Sequence, residues 1–323
     1  MNPPFLDLID LAAARLGASV VAANDEFFGE KERLIDPNAP QFVEHRYTDR
    51  GKWMDGWETR RRREPGHDWC VLRLGTPGRV RGLDVETTFF KGNFPEACAV
   101  DVCDPSEANG WNAATWREVL PRSPLQGDGH NLFAVSDQAR ASYLRLRIFP
   151  DGGVARLRVY GEVMPDWPRL RTRGEVDLAA VEHGGFVASC SDMFFGHRQQ
   201  LIMPGDARTM GEGWETRRRR GGGHDWTIVR LGAPGRIARA EIDTSHFKGN
   251  APAACSLEAM VEPSDPTGAH AGWRELLART SLQPDARHVC DDALVPIDGV
   301  THVRFNIFPD GGVARLRLFG RPA

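Results

Sequence analysis

Apolar and polar residues alternate with a period of two through much of this chain. Cys70, Leu72 and Leu74 alternate with Val71 and Arg73, and later Thr227, Val229 and Leu231 alternate with Ile228 and Arg230. Such alternation puts one set of side chains on each face of a strand, so both runs predict half-buried β-strands. Gly75-Thr76-Pro77-Gly78 and Gly232-Ala233-Pro234-Gly235 follow. Proline presets φ and glycine permits positive φ, so these runs predict turns. Further strands are expected around Leu83 and Val85, and around Ala240 and Ile242. Leu144, Leu146 and Ile148 precede an Asp-Gly-Gly, and Ala155, Leu157 and Val159 follow it, which predicts a hairpin. Only Met1 to Gly17 suggests a short helix or an irregular lead-in, from the spacing of Leu6, Ile9 and Ala13. Many short strands with turns at close intervals predict an all-β sandwich.

The pattern occurs twice. Gly56-Trp57-Glu58-Thr59-Arg60-Arg61-Arg62-Arg63 and Gly66-His67-Asp68-Trp69 return, with the same spacing, at Gly213 to Arg220 and Gly223 to Trp226. Asn24-Asp25-Glu26-Phe27-Phe28-Gly29 is echoed by Ser191-Asp192-Met193-Phe194-Phe195-Gly196. Phe90-Lys91-Gly92-Asn93 and Trp116-Arg117-Glu118 return as Phe247-Lys248-Gly249-Asn250 and Trp273-Arg274-Glu275. Each copy closes on Ile-Phe-Pro-Asp-Gly-Gly-Val-Ala-Arg-Leu-Arg, from Ile148 and from Ile307. The duplication predicts two domains, residues 1–164 and 165–323, with Gly161 to Glu175 as linker. Asn24 to Gly56 exceeds Ser191 to Gly213 by ten residues, so the first copy carries a loop insertion around Phe42 to Trp53. That insertion is where the copies are expected to differ in function.

Composition narrows the class. A chain of 323 residues, 41% hydrophobic and 26% charged, can form two ordinary globular cores. No run of eighteen apolar residues is present, which argues against a membrane partner. The N-terminus lacks a basic region and carries Asp7 and Asp10 in its apolar part, unlike a secretory signal, so a cytoplasmic location is expected. Six cysteines form no Cys-x-x-Cys pair and are read as buried small hydrophobes. A net charge of −3 counts against a nucleic-acid partner despite the four-arginine runs.

The repeated block also holds the candidate chemistry. On a strand, Glu58, Arg60 and Arg62 would share one face and Thr59, Arg61 and Arg63 the other. Guanidinium forks match small carboxylates. The competing structural reading gives these arginines to internal ion pairs with Asp84, Glu86 and Asp243. His67 and His224 titrate near neutrality and are candidates for proton transfer, with Asp68 and Asp225 beside them, while a purely structural histidine is the alternative. Lys91 and Lys248 stand at strand ends where they can reach a ligand. Trp57, Trp69, Trp214 and Trp226 read as core or cleft walls. Phe89 in the first copy is His246 in the second, which favours the second copy for catalysis. No His-x-His, His-Glu-x-x-His, cysteine ligand cluster, Gly-x-Ser-x-Gly elbow or phosphate loop occurs. No cofactor is predicted, and a divalent metal is left open.

Taken together, the duplicated Trp-Glu-Thr-Arg-Arg-Arg-Arg and Gly-His-Asp-Trp blocks, the Phe-Lys-Gly-Asn loops and the closing Phe-Pro-Asp-Gly-Gly-Val-Ala-Arg resemble allantoicase, from about Leu11 to Gly320. The resemblance implies two tandem jelly-roll, galactose-binding-domain-like sandwiches. It also implies hydrolysis of allantoate to ureidoglycolate and urea in purine (allantoin) degradation. On that reading Arg60 or Arg62, and Arg217 or Arg219, hold the substrate carboxylate. Lys91, Lys248, Asp68 and Asp225 join them in binding. Glu58 and Glu215 bind ureido groups or act as acid and base, while His67, His224 and His246 move protons. The alternative is a tandem ligand-binding module without activity. Exposed edge strands are compatible with a homo-oligomer.

Overall fold

In the computed structural model, which describes residues 3–105, 110–261 and 272–323, the chain forms two compact units, Met1–Met164 and Pro165–Ala323. The first contains β1 (Ile9–Asp10), β2 (Ser19–Ala23), β3 (Tyr47–Thr48), β4 (Gly51–Lys52), β5 (Trp57–Glu58), β6 (Asp68–Glu86), β7 (Ala97–Cys103), β8 (Arg117–Pro124), β9 (His130–Ala134), β10 (Ala141–Phe149), β11 (Gly153–Val154) and β12 (Arg156–Val163). The second repeats this plan without the β3–β4 hairpin. Each unit is an all-β jelly roll. Among the described residues, no helix is long and apolar enough to cross a membrane.

The long strand β6 organises the unit because its two halves pair differently. Trp69 to Arg73 lie between β10 and β2, and β10 continues to β7 and β8. Gly78 to Glu86 pair with β12, and Gly82 to Glu86 also pair with β9. The predicted turn at Gly75 to Gly78 is therefore a bend inside a continuous strand, marked by a register shift opposite Ala141 and Tyr143. A bend lets one strand serve both sheets at a sandwich corner. The glycines are required there by contact: a Cβ on Gly75 would lie 2.5 Å from the Leu16 Cβ, and one on Gly78 would lie 2.6 Å from the Glu162 carbonyl oxygen.

The expected Asp-Gly-Gly hairpin is likewise replaced. β10 and β12 do not pair with each other but with opposite halves of β6, so the Pro150 to Gly153 connection crosses from one sheet to the other. On the way its Gly153 and Val154 form β11 against β5. The expected linker at Gly161 to Glu175 is partly regular. β12 runs through Val163, and Trp167–Arg171 is a short helix whose Arg169 N–H donates to Asp166 Oδ1 at 3.1 Å. The lead-in is two 3-10 turns, Pro4–Asp7 and Ala14–Leu16, around β1.

The alternation read from the sequence fills the core. Leu72, Leu83, Val85, Leu144, Leu146, Ile148, Leu157 and Val159 are fully buried. All six cysteines are free, and Cys98 and Cys255 are buried at matching places. Burial pushes both of these thiols up to about 12, which keeps them protonated and inert. Trp57 and Trp214 are fully buried, each donating its indole N–H at 2.8 Å to the carbonyl of Asp25 or Asp192.

A Cβ on Gly153 would lie 1.9 Å from the Phe90 ring, whereas Gly92 has open space around it. Gly153→Ala should cost about 1–3 kcal/mol through overpacking and lower the urea midpoint. Gly92→Ala should leave that midpoint near wild type.

Candidate functional site

The repeated motifs meet at one end of the sandwich, around Glu58. The β5–β11 pair aligns Glu58 with Gly153 and Trp57 with Val154. Phe28 and Gly29 donate their backbone N–H groups to the Glu58 carbonyl at 3.1 Å, which brings the Asn-Asp-Glu-Phe-Phe-Gly motif alongside. Gly152 N donates to Thr59 Oγ1 at 3.1 Å, and the Thr59 N–H donates back to the Gly152 carbonyl at 3.2 Å. Asp151 Oδ2 then accepts the Arg62 backbone N–H at 2.8 Å. Asn93 closes the circle: its carbonyl accepts from Gly153 N at 2.8 Å, and its Nδ2 donates to Glu58 Oε1 at 2.7 Å.

Glu58 faces two adjoining cavities. The larger, about 590 Å³, has Glu58 and Asn93 with apolar walls of Phe28, Phe42, Met54 and Phe89, plus Lys52 and Lys91. The smaller, about 410 Å³, shares Phe28, Glu58 and Asn93 and adds Thr59, Arg61 and Asp151. Burial pushes the Glu58 carboxyl above its ordinary range, and the Asn93 hydrogen bond, which favours the ionised form, pulls the other way. Phe42 and Lys52 come from the insertion, where Lys52 Nζ lies 4.5 Å from the centre of the Phe42 ring. Arg50 anchors the insertion by donating to the Phe27 carbonyl at 2.8 Å.

The arginines are arranged differently from the expectation. Strand pairing ends at Glu58, so the alternation assumed for Glu58, Arg60 and Arg62 does not continue. Arg60 pairs with Asp25 at 2.8 Å, and Arg62 pairs with the buried Asp68 at 2.6 Å. In the second unit Arg217 pairs with Asp192 at 3.2 Å, and Arg219 pairs with buried Asp225. These four guanidinium groups are thus engaged internally, and Asp68 and Asp225 are their buried counter-ions. The acceptors are not the Asp84, Glu86 and Asp243 considered from sequence. Arg61, assigned to the opposite face from Glu58, is the arginine that lines the smaller cavity with it. It also lines a neighbouring cavity of about 590 Å³ with Arg60, Arg62 and Arg63. Neither Arg61 nor Arg218 makes an ion pair with the described residues.

The histidines are held by contacts other than the glutamates. His67 packs against Phe149 with ring centroids 5.1 Å apart and lines neither Glu58 cavity. Burial and the nearby Arg147, Arg145 and Arg62 push its pKa down, so it is neutral at pH 7. His224 packs against Phe308 at 4.7 Å, and its Nε2 lies 3.2 Å from Asn306 Oδ1. His246 Nε2 lies 2.9 Å from the Ala207 carbonyl, so that nitrogen carries the proton and tacks down a loop. At the same position Phe89 stacks on Phe42 of the insertion at 5.6 Å. The asymmetry that favoured the second unit is therefore a difference in how each copy holds its neighbouring loop. Lys91 and Lys248 are exposed and loosely paired with Asp128 at 3.6 Å and Asp285 at 3.8 Å. Glu215 accepts from Asn250 Nδ2 at 2.5 Å, as Glu58 does from Asn93.

Sequence reasoning missed Asn93, Arg61, Phe28 and Lys52 as site residues. The first three belong to repeated motifs, which was an available signal; Lys52 stands in the insertion, and only folding shows what it reaches. Among the described residues, no group of three or more His, Cys, Asp or Glu side chains is placed to hold a metal ion.

Comparison with known proteins agrees on one family. The allantoicase repeat matches residues 9–164 and again 176–323. A probable allantoicase of Pseudomonas aeruginosa (strain UCBPP-PA14) is 49% identical over 325 residues, covering 99% of this chain and 98% of that protein. A probable allantoicase of Photobacterium profundum is 46% identical, covering 98% and 97%. The crystal structure of allantoicase from Saccharomyces cerevisiae superposes with a TM-score of 0.81 at 33% identity, covering 97% of this chain and 92% of that one.

Arg62 and Arg61 should separate cleanly in unfolding experiments. Arg62→Met leaves the buried Asp68 without its cation and should cost about 3–5 kcal/mol. Arg61→Met removes an exposed side chain and should change the urea midpoint little.

Proposed function

The chain belongs to the allantoicase family, and on that premise we propose that it hydrolyses allantoate to ureidoglycolate and urea in the cleft around Glu58. The observation that carries the assignment is a half-buried carboxyl with a raised pKa, held by Asn93, in an apolar-walled cleft beside a guanidinium that pairs with no carboxylate among the described residues. Allantoate joins one carboxylate and two ureido groups at a single carbon. The linear amidine-type C–N bond between that carbon and one ureido nitrogen is the bond cleaved.

The Arg61 fork suits the substrate carboxylate, and Lys52 and Lys91 add positive charge at the same cleft. Glu58 does the proton work. A carboxyl with a raised pKa can be protonated when substrate binds and give its proton to the departing ureido nitrogen, releasing urea. As carboxylate it then takes a proton from the water whose oxygen bonds to the vacated carbon. This returns Glu58 to its starting form and balances the hydrolysis. Phe28, Phe42, Met54 and Phe89 limit bulk water around the carboxyl, which sustains its raised pKa. The six free cysteines fit a reducing, cytoplasmic setting.

Urea release from allantoate tests the reading, with and without EDTA. Glu58→Gln should lower kcat by about 100-fold or more, the usual range for a general acid–base group. Arg61→Ala should act mainly on KM, and His67→Ala should stay within about threefold of wild type, under roughly 0.7 kcal/mol in barrier. A folded wild-type chain that releases no urea in either condition would instead be a ligand-binding module. Loss with EDTA alone would reveal a metal requirement.

Asn93→Ala tests the pKa. Removing its donated hydrogen bond destabilises the ionised form, so the Glu58 pKa should rise further. The limb of the pH–rate profile on which activity falls as Glu58 loses its proton should move to higher pH. The stability linkage has the same sign. A raised folded-state pKa contributes stability below the unfolded value, and that stability is lost as pH rises through the raised value.

A further inference from the structure

The second unit keeps the inner half of this site and lacks its cover. Glu215 pairs with Gly312 as Glu58 pairs with Gly153. Asn250 Nδ2 holds the Glu215 carboxylate, and the Asn250 carbonyl accepts from Gly312 N at 2.8 Å. Thr216 and Gly311 exchange the bonds that Thr59 and Gly152 make, and Asp310 accepts the Arg219 backbone N–H at 2.7 Å. Arg218 stands where Arg61 does.

The outer half differs for a visible reason. In the first unit Arg156 and Arg158 donate to the carbonyls of Asn38 and Asp36, which pins the chain just ahead of the insertion and leaves the insertion to reach Glu58. In the second unit the shorter loop is held down over its length. Arg315 and Arg317 both donate to the Gly205 carbonyl, at 2.9 and 2.8 Å, and His246 holds the Ala207 carbonyl. Ala207 itself packs into a core cluster with Phe247 and Ala314. The edge-on pair Phe194 and Phe195 matches Phe27 and Phe28, with ring centroids 4.8 Å apart against 4.9 Å. Yet Phe194 and Phe195 are 60% and 62% exposed, while Phe27 and Phe28 are half-buried beneath the insertion.

Resting on the assignment of the first cleft, we infer that the second unit is a second binding site for ureido-bearing anions, one that holds the ligand without turning it over. Glu215 accepts the ureido N–H donors, Arg218 meets the carboxylate, and Phe195 offers an aromatic face to the planar urea group. The site does not hydrolyse because the second unit has no counterpart of the insertion that places Phe42 and Lys52 over the first cleft, so no wall closes above Glu215 and Phe195. His246 is a positioning residue: by holding Ala207 it keeps this site open.

N-carbamoylglycine is a suitable probe, since it carries one ureido group and one carboxylate but no second ureido group to expel. Calorimetric titration of the wild-type chain should give two equivalents per chain. Glu58→Gln and Glu215→Gln should each lose a different one, and Phe195→Ala should weaken the second class about three- to tenfold, with melting curves confirming that each variant is folded. One equivalent in wild type, lost on Glu58→Gln and untouched by Glu215→Gln, would overturn the second site. One equivalent lost only on Glu215→Gln would support it while defeating the first-cleft assignment; no binding would defeat both. Allantoate turnover should fall at least tenfold further in Glu58→Gln than in Glu215→Gln. An equal fall would make the second unit catalytic and overturn the binding-only assignment.

Discussion

The site depends on a two-residue ladder. Trp57 and Glu58 pair with Gly153 and Val154 at the point where the chain crosses between sheets. This short pairing can persist because both partners are anchored nearby: Trp57 is wholly buried, and Gly153 lies against the Phe90 ring. Once it forms, backbone donors from Phe28 and Gly29 and the carbonyl of Asn93 have fixed positions around Glu58. The carboxyl is then held half-buried, and Asn93 is within reach to limit how far its proton affinity rises. Local backbone geometry is thereby connected directly to the acidity of one side chain.

The arginine run shows how charge is divided between folding and chemistry. Arg60 and Arg62 tie the run to Asp25 and Asp68, and the buried position of Asp68 makes its partner hard to remove. Held at its neighbours, Arg61 keeps a charge that no carboxylate among the described residues pairs with. The same division recurs in the second unit, with Arg217 and Arg219 paired to Asp192 and Asp225. Duplication copied this scaffold faithfully, and the units diverged in the loop above it. An insertion over Phe28 makes a walled cleft, and a shorter loop drawn down by Arg315, Arg317 and His246 leaves Phe195 in solvent.

Several elements were legible in the sequence because they follow from local rules. Period-two alternation located the core strands, and the two copies of each motif marked a duplicated β-sandwich. Motif identity over nearly the whole chain pointed to the allantoicase family. Glu58 stood out as a candidate because it lies in the repeated Gly-Trp-Glu-Thr-Arg-Arg-Arg-Arg block. The turn at Gly75 to Gly78 and the hairpin at Asp151 to Gly153 were misread for one shared reason. Glycine and proline mark a change of backbone direction, but sequence does not say whether the chain reverses on its neighbour or continues into a different sheet.

What the sequence determined by itself was therefore the class of fold, the repeat, the family and the chemical types available at the site. Tertiary structure alone decided which of those groups meet. The alternation that grouped Glu58 with Arg60 and Arg62 holds only while the strand is paired, and pairing stops at Glu58. Past that point, contacts with Asp25, Asp68 and Asp151, up to 89 residues away in the chain, set the directions of Arg60 and Arg62. The differing roles of Phe89 and His246 have the same origin. Each is set by the loop packed against it, and only the folded chain brings that loop into contact.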